Sequence, residues 1–236
     1  MSFQVLQSMD QVSRAREQLL ANGLSFSNSW LRSLLWSISR GRIPRVGDQI
    51  KSWDVLRTVE FAQANVARDA KVLDLGAFGS EIPLVLRAAG YSKVFGVDLN
   101  PNVVHMPHAD DIRYVRGNFH QCPFESATFD LITAISVIEH GYEPERLLAE
   151  VARLLRSGGY FVASFDYWPE KIATADTRIF GLDWLIFSAA DVRSLIATAG
   201  QLGLAPVGGL EFAAREHPVR FERFEYTFGW LALRKN

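Results

Sequence analysis

Two neighbouring stretches constrain this chain more than anything else in it: Lys71–Ser80, KVLDLGAFGS, and Val94–Pro101, VFGVDLNP. The run Val72–Leu75 is apolar at all positions but Asp74, as a strand covered on both faces tends to be. It enters a turn that holds Gly76 and Gly79, and Ser80 then stands where it can cap a helix over Ser80–Ala89. A second apolar run, Val94–Val97, ends on Asp98. Strand, glycine turn, helix, strand and terminal acid make one βαβ unit of a nucleotide-binding sheet. Gly76 can take positive φ and lets backbone approach a ligand closely. The helix start offers free N–H groups, and a carboxylate at the second strand tip is placed to accept two hydrogen bonds from a ribose diol. The unit is predicted to hold an adenosine-type ligand across its strand ends.

The glycine spacing narrows the ligand. A dinucleotide site uses G-x-G-x-x-G so that a pyrophosphate can rest on the helix N-terminus. Here Phe78 replaces the second of those glycines, and the turn holds no Arg or Lys. Asp74 is expected to put a negative charge beside the turn, which repels a pyrophosphate and suits a cation. The ammonium and sulfonium of S-adenosylmethionine meet that requirement.

On these residues the chain resembles the class I S-adenosylmethionine-dependent methyltransferases, of the kind called type 11-like, over roughly Asp69 to Gly203. The first motif of that family, D-x-G-x-G-x-G, is matched by Asp74 and Gly76. Phe78 and Ser80 stand where glycines are usual, and Gly79 is displaced by one position. Val115–Phe124 (VRGNFHQCPF) is similar to the third motif, Phe129–His140 (FDLITAISVIEH) to the fourth strand and the loop after it, and Leu154–Phe165 (LLRSGGYFVASF) to a helix end and fifth strand. The resemblance implies an α/β, Rossmann-like, doubly wound, seven-stranded and mostly parallel sheet with an antiparallel last strand, preceded by N-terminal helices. It also implies cofactor contacts. Asp74, Leu75, Gly76, Ala77, Phe78 and Gly79 would hold the methionine end, Asp98 and Leu99 the ribose, Asn118 and Phe119 the adenine. Ala134, Ile135 and Ser136 would pass beneath. No metal is expected: His105 and His108 lack a plausible third ligand and read as loop residues.

Composition sets the outer bounds. The 236 residues fit one α/β domain, and 48% apolar residues suffice for a packed core. A formal net charge of −1 argues against a general nucleic-acid partner. The single cysteine, Cys122, reads as a small buried side chain, and its solitude suits a reducing, cytoplasmic setting. The start MSFQVLQSMD lacks a signal-peptide pattern, and no apolar run approaches the roughly 20 residues of a membrane span.

Before the core, helices are expected over Ser8–Leu20, Ser27–Ser39 and Trp53–Ala67, with serine caps at Ser8 and Ser52. Residues 1–68 are read as a helical extension or cap, and 69–236 as the catalytic core with an acceptor-binding insertion near 167–187. Trp30, Trp36 and Trp53 read as core rings, and Arg42, Arg45 and Lys51 as a solvated face. Glu143–Arg156 should be a helix broken by Gly158-Gly159. A further helix should begin at Ser188-Ala-Ala-Asp191, and the last strands should occupy Leu204–Phe212 and Phe221–Leu233. In the second of these, Phe224, Tyr226, Phe228 and Trp230 alternate as one core-facing stripe.

Ser136, Glu139 and His140 follow the fourth strand, on the edge where open α/β sheets bind ligands. An imidazole with an ordinary pKa near ~6.5 can accept a proton at neutral pH, so His140 is the candidate general base and Glu139 its candidate orienting partner. The expected activity is methyl transfer to an oxygen or nitrogen of a small-molecule acceptor, with a sugar or natural-product hydroxyl first. The Ser-Val-Ile-Glu-His stretch, with Phe78-Gly79-Ser80, resembles a subgroup of glycan and natural-product pathways. The alternatives are a non-catalytic adenosine-ligand binder of the same fold and an NAD(P)-dependent oxidoreductase, with an RNA methyltransferase disfavoured by charge.

Overall fold

The computed structural model describes residues 1–27, 45–174 and 177–236. In chain order its elements are β1 (Phe3–Val5), α1 (Met9–Ala21), α2 (Ser52–Asn65), β2 (Lys71–Leu75), α3 (Ile82–Ala88), β3 (Lys93–Asp98), β4 (Arg113–Arg116) and β5 (Phe129–Ile135). Then follow α4 (Pro144–Leu154), β6 (Leu155–Tyr167), β7 (Arg178–Ile179), β8 (Leu182–Asp183), α5 (Ala189–Gln201), β9 (Leu204–Pro206), β10 (Val219–Phe221) and β11 (Phe224–Lys235). One sheet runs β1-β11-β6-β5-β2-β3-β4, with β9 and β10 also paired to β11. The five strands from β6 to β4 are mutually parallel, whereas β11 runs antiparallel to β6, β1, β9 and β10. This is the mostly parallel, Rossmann-like sheet that the motifs imply.

Strand side chains alternate between two cores, as a period of two demands. Phe161, Ala163, Phe165 and Tyr167 of β6 point to the side packed by Leu147, Leu148 and Val151 of α4 and Val192 and Leu195 of α5. On the other side Phe224, Tyr226, Phe228 and Trp230 of β11 join Val55 and Val59 of α2 and Leu84 and Val85 of α3. The aromatic stripe is therefore core, as expected, and the Trp230 indole N–H is satisfied by Thr58 Oγ1 at 3.1 Å. Burying each such side chain contributes roughly 1.5–3 kcal/mol.

Several local expectations need correction. The stretch before Asp69 is not helical alone: Phe3–Val5 pairs with Gly229–Leu231 as an edge strand, too short for any periodicity to register. Ser8 precedes α1 but makes no capping bond; Gln11 Oε1 takes the Gln7 N–H instead, at 2.7 Å. Ser52 is the first residue of α2, and its hydroxyl donates backwards to the Gln49 carbonyl at 2.7 Å. Helix α3 starts two residues later than expected, although Ser80 Oγ accepts the Ile82 N–H at 3.2 Å. Helix α4 ends at Leu154, so Gly158 and Gly159 lie within β6, at the register shift between β5 and β6. Of Leu204–Phe212 only Leu204–Pro206 is strand. The expected helix Ser27–Ser39, with Trp30 and Trp36, falls outside the described residues beyond Ser27, as do Arg42 and Asp176.

Gly76 takes φ +73° at the end of β2, and a Cβ there would lie 2.4 Å from Val137 Cγ2. The glycine thus makes room for Val137 in the loop after β5. Gly76→Ala should destabilise the fold by roughly 2–3 kcal/mol, from positive φ and overpacking together. Urea denaturation measures this, and adding Val137→Ala should recover part of the loss.

Candidate active site

The site forms where β2, β3 and β5 end together. Parallel register sets Asp74 opposite Gly96 on one side and Thr133 on the other. The chain leaving each strand therefore turns at the same edge. Gly76 and Ala77 donate their N–H groups to the Val97 carbonyl at 2.9 and 3.1 Å, which locks the first turn onto β3. Asp98 ends β3 with its carboxylate held by two backbone amides, Phe78 N–H at 3.0 Å and Asn100 N–H at 2.7 Å.

These turns border a cavity of about 420 Å³, and Gly76, Phe78, Asp98, Leu99, Phe119 and Ser136 are on its wall. The other sequence-derived cofactor positions lie elsewhere. Leu75 and Ala134, in the sheet, and Ala77, in the turn after β2, are buried and off the cavity wall. Ile135 is half-buried at the end of β5. Gly79 faces away, with its carbonyl accepting from Gly47 N–H at 2.8 Å. Asn118 is half-buried in its own turn, where Oδ1 accepts the His120 N–H at 2.9 Å.

Asp74 overturns the electrostatic expectation. It is 1% exposed, it is not on the cavity wall, and its Oδ1 accepts from the Thr133 hydroxyl at 2.6 Å. Burial pushes its pKa up to about 7, with Thr133 and Ser80 opposing and Asp98 adding to the rise. A carboxyl so placed ties β2 to β5. It does not line the cavity, and the carboxyl group on the cavity wall is that of Asp98.

A second cavity, of about 470 Å³, adjoins the first, and Ser136 and His140 wall both. Its other polar walls include Lys51, Glu139, Asp166 and Tyr226, beside the ring of Phe228. Lys51 is thus no solvated-face residue. Its Nζ lies 3.6 Å from Asp166 Oδ1, 3.9 Å from Asp54 Oδ2 and 3.2 Å from the Phe228 ring centre. Asp166, the last acid of β6, also accepts from Trp184 Nε1 at 2.9 Å. Asp166 lies one residue from the C-terminal end of β6, and Tyr226 and Phe228, read as core from the sequence, also wall this cavity.

His140 is partly buried, and burial draws its pKa below the ordinary imidazole value, with Asp166 opposing. Glu139 does not orient it. Both line the same cavity, but His140 Nδ1 is buried with no hydrogen-bond partner among the described residues. The Glu139 carboxyl instead faces Asp166 and Lys51, and Ser136 is near enough to lower its pKa slightly. Burial, then Asp166, raise that pKa to about 8. Over the site, the turn joining β7 to β8 sets the exposed ring of Phe180 5.4 Å from the His140 ring. Among the described residues no group of three or more His, Cys, Asp or Glu is arranged to hold a metal, and no described helix is long and apolar enough to cross a membrane.

Comparison with known proteins agrees with this geometry. Residues 73–163 match the family model described as "Methyltransferase domain". A sarcosine/dimethylglycine N-methyltransferase of Aphanothece halophytica is 29% identical over 140 residues, which are 54% of this chain and 44% of that protein. A probable S-adenosylmethionine-dependent methyltransferase of Mycolicibacterium smegmatis is 30% identical over 115 residues, 46% of this chain and 43% of that one. The chain thus matches less than half the length of either. Among solved structures, a putative sarcosine dimethylglycine methyltransferase from Galdieria sulphuraria superposes with a TM-score of 0.58 at 18% identity, covering 88% of this chain and 99% of that chain. The [4+2]-cyclase SpnF superposes at 0.60 with 15% identity, covering 76% and 80%; both are likenesses of fold. Strand order and the two strand-end cavities give a Rossmann-like fold, and residues 73–163 of it match a methyltransferase domain.

The raised carboxyl groups carry a consequence for stability. Asp54 and Asp74 sit at about 7 and Glu139 at about 8, all above their ordinary values. The folded state therefore binds more protons than the unfolded chain between about pH 4 and 8. Stability is fullest below that window and falls as pH rises through it, by roughly 1 kcal/mol per pH unit for each group within its range. Urea midpoints should fall from pH 5 to pH 8, and Asp74→Asn should flatten the slope.

Proposed function

We propose that this chain binds S-adenosylmethionine in the cavity bordered by Gly76 and Asp98 and transfers its methyl group to a small molecule held in the adjoining cavity. The observation that carries this reading is the shared wall: Ser136 and His140 face both spaces. A methyl donor on one side and an acceptor on the other would meet there. The cavity volume of about 420 Å³ lies within the range of small-ligand sites. Asp98, already fixed by two amides, would accept from the ribose hydroxyls with its remaining lone pairs. Phe119 and Leu99, both on the cavity wall, would pack against the adenine. The turn of Gly76 and Phe78 would hold the methionine end.

The cofactor supplies an activated methyl group, and this chain's residues align and deprotonate. Burial keeps His140 in its neutral, proton-accepting form at neutral pH. It would take the proton of a hydroxyl acceptor, and a sugar or natural-product hydroxyl remains the first candidate. Residues 1–68 would act as the cap that delivers Lys51 to the acceptor side, and 177–187 would close it from above.

Calorimetric titration with S-adenosylhomocysteine, with NAD as the control, tests the cofactor; tight NAD binding without homocysteine binding would replace this function by redox chemistry. Asp98→Ala should weaken S-adenosylhomocysteine binding roughly 10- to 100-fold, the worth of hydrogen bonds to a charged group. With a radiolabelled methyl donor and an acceptor panel, His140→Ala should lower kcat about 100-fold at unchanged cofactor affinity. The acid limb of the native pH–rate profile should lie below the ordinary histidine range. An unaltered kcat would remove His140 as the base.

A further inference from the structure

The cavity beside His140 holds more acid than base. Asp54, Glu139 and Asp166 are all at most 6% exposed and gather about one ammonium, that of Lys51. Lys51 reaches this place from the start of α2 and lies within ion-pair distance of Asp54 and Asp166. Arg220 at the mouth is paired with Glu225 at 2.8 Å and adds no free cation. His140, drawn toward its neutral form, adds none either. Facing Glu139 are Ser136 from its own turn, Asp166 from β6 and Lys51 from α2, with Tyr226 of β11 close to both acids. Glu139 is 1% exposed, lines the cavity, and its Oε2 has no hydrogen-bond partner among the described residues. A buried carboxyl left in that condition costs free energy that a ligand can return.

We infer that the acceptor is a cationic amine whose ammonium group sits between Glu139 and Asp166, against the rings of Tyr226 and Phe228. The inference rests on the methyltransferase reading of the site and names its substrate class; it holds for a hydroxyl on the same molecule that gives its proton to His140, or for the nitrogen itself once it has given a proton to His140 and so exposes a lone pair to the methyl group. The protein already shows how this pocket treats an ammonium: Lys51 Nζ lies over the Phe228 ring at 3.2 Å with Asp166 at 3.6 Å. A second cation would give Glu139 the partner it lacks and separate it electrostatically from Asp166. Without that cation Glu139 keeps its proton at neutral pH, since its pKa stands at about 8. Amine binding therefore displaces the proton, whereas a neutral polyol leaves it in place.

The test uses two matched pairs, glucosamine with glucose and phenethylammonium with phenethyl alcohol, each titrated calorimetrically into the full chain saturated with S-adenosylhomocysteine. Titrations at pH 7 in two buffers of different ionisation enthalpy count the protons released. The inference expects at least one ammonium member to bind about tenfold or more tightly than its neutral partner. Binding should release protons, and Glu139→Gln, which keeps the side chain's shape, should remove both the preference and the release. A urea midpoint confirms that the variant is folded. Equal or tighter binding of the neutral members, no preference in either pair, or a preference that survives Glu139→Gln overturns the inference. Failure of S-adenosylhomocysteine to bind overturns the proposed function instead, and the amine preference is then read on the chain alone by the same criteria.

Discussion

Everything at the site follows from the level ending of three parallel strands. With Asp74 of β2 opposite both Gly96 and Thr133, the chain leaves β2, β3 and β5 at one height. Each exit then turns sharply, with positive φ at Gly76 and at Ser136. The amides freed by the first turn are bonded to Val97 or to Asp98. The bond between Phe78 and Asp98 fixes two loops relative to each other at the wall of the first cavity.

The second cavity is assembled differently, from elements distant in the chain. The segment entering α2 contributes Lys51, backed by Asp54 at 3.9 Å, the turn after β5 contributes Glu139 and His140, β6 contributes Asp166, and β11 contributes Tyr226 and Phe228. Packing joins them: Ser164 of β6 donates to Asp54 Oδ2 at 3.0 Å, and Trp184 donates to Asp166. A cavity whose walls come from four places changes readily by substitution, while the first cavity is bordered by two adjacent turns.

The sheet was legible because a strand buried on both faces leaves a run of apolar letters. Phe129–Ile135 has the bounds read from sequence, and Val94–Val97 and Val72–Leu75 lie inside their strands. The strand-end residues were legible for the same reason, since topology carries any residue after a parallel strand to one edge. Side-chain direction was not legible. Asp74 reads as an acid beside a glycine turn, and only its partner Thr133, 59 residues away, shows that it points into the sheet. Lys51 reads as an ordinary basic residue at a helix start, and nothing near it in sequence announces Asp166 or Phe228. Glu139 and His140 are adjacent, which invites a catalytic pairing, yet Glu139 Oε2 and His140 Nδ1 are both without a hydrogen-bond partner among the described residues.

The far end of the sheet has its own significance. β11 is flanked by β6 on one side and by β1, β9 and β10 on the other, whereas β4 has only β3 as a neighbour among the described strands. An unpaired strand is a template onto which another chain can zip. β4 offers little purchase: it is four residues long and reads Arg-Tyr-Val-Arg, with both arginines exposed. Two guanidinium groups bracketing so short a ladder repel a like copy brought alongside, so the outermost strand works against fibre-like stacking of the protein in a crowded solution.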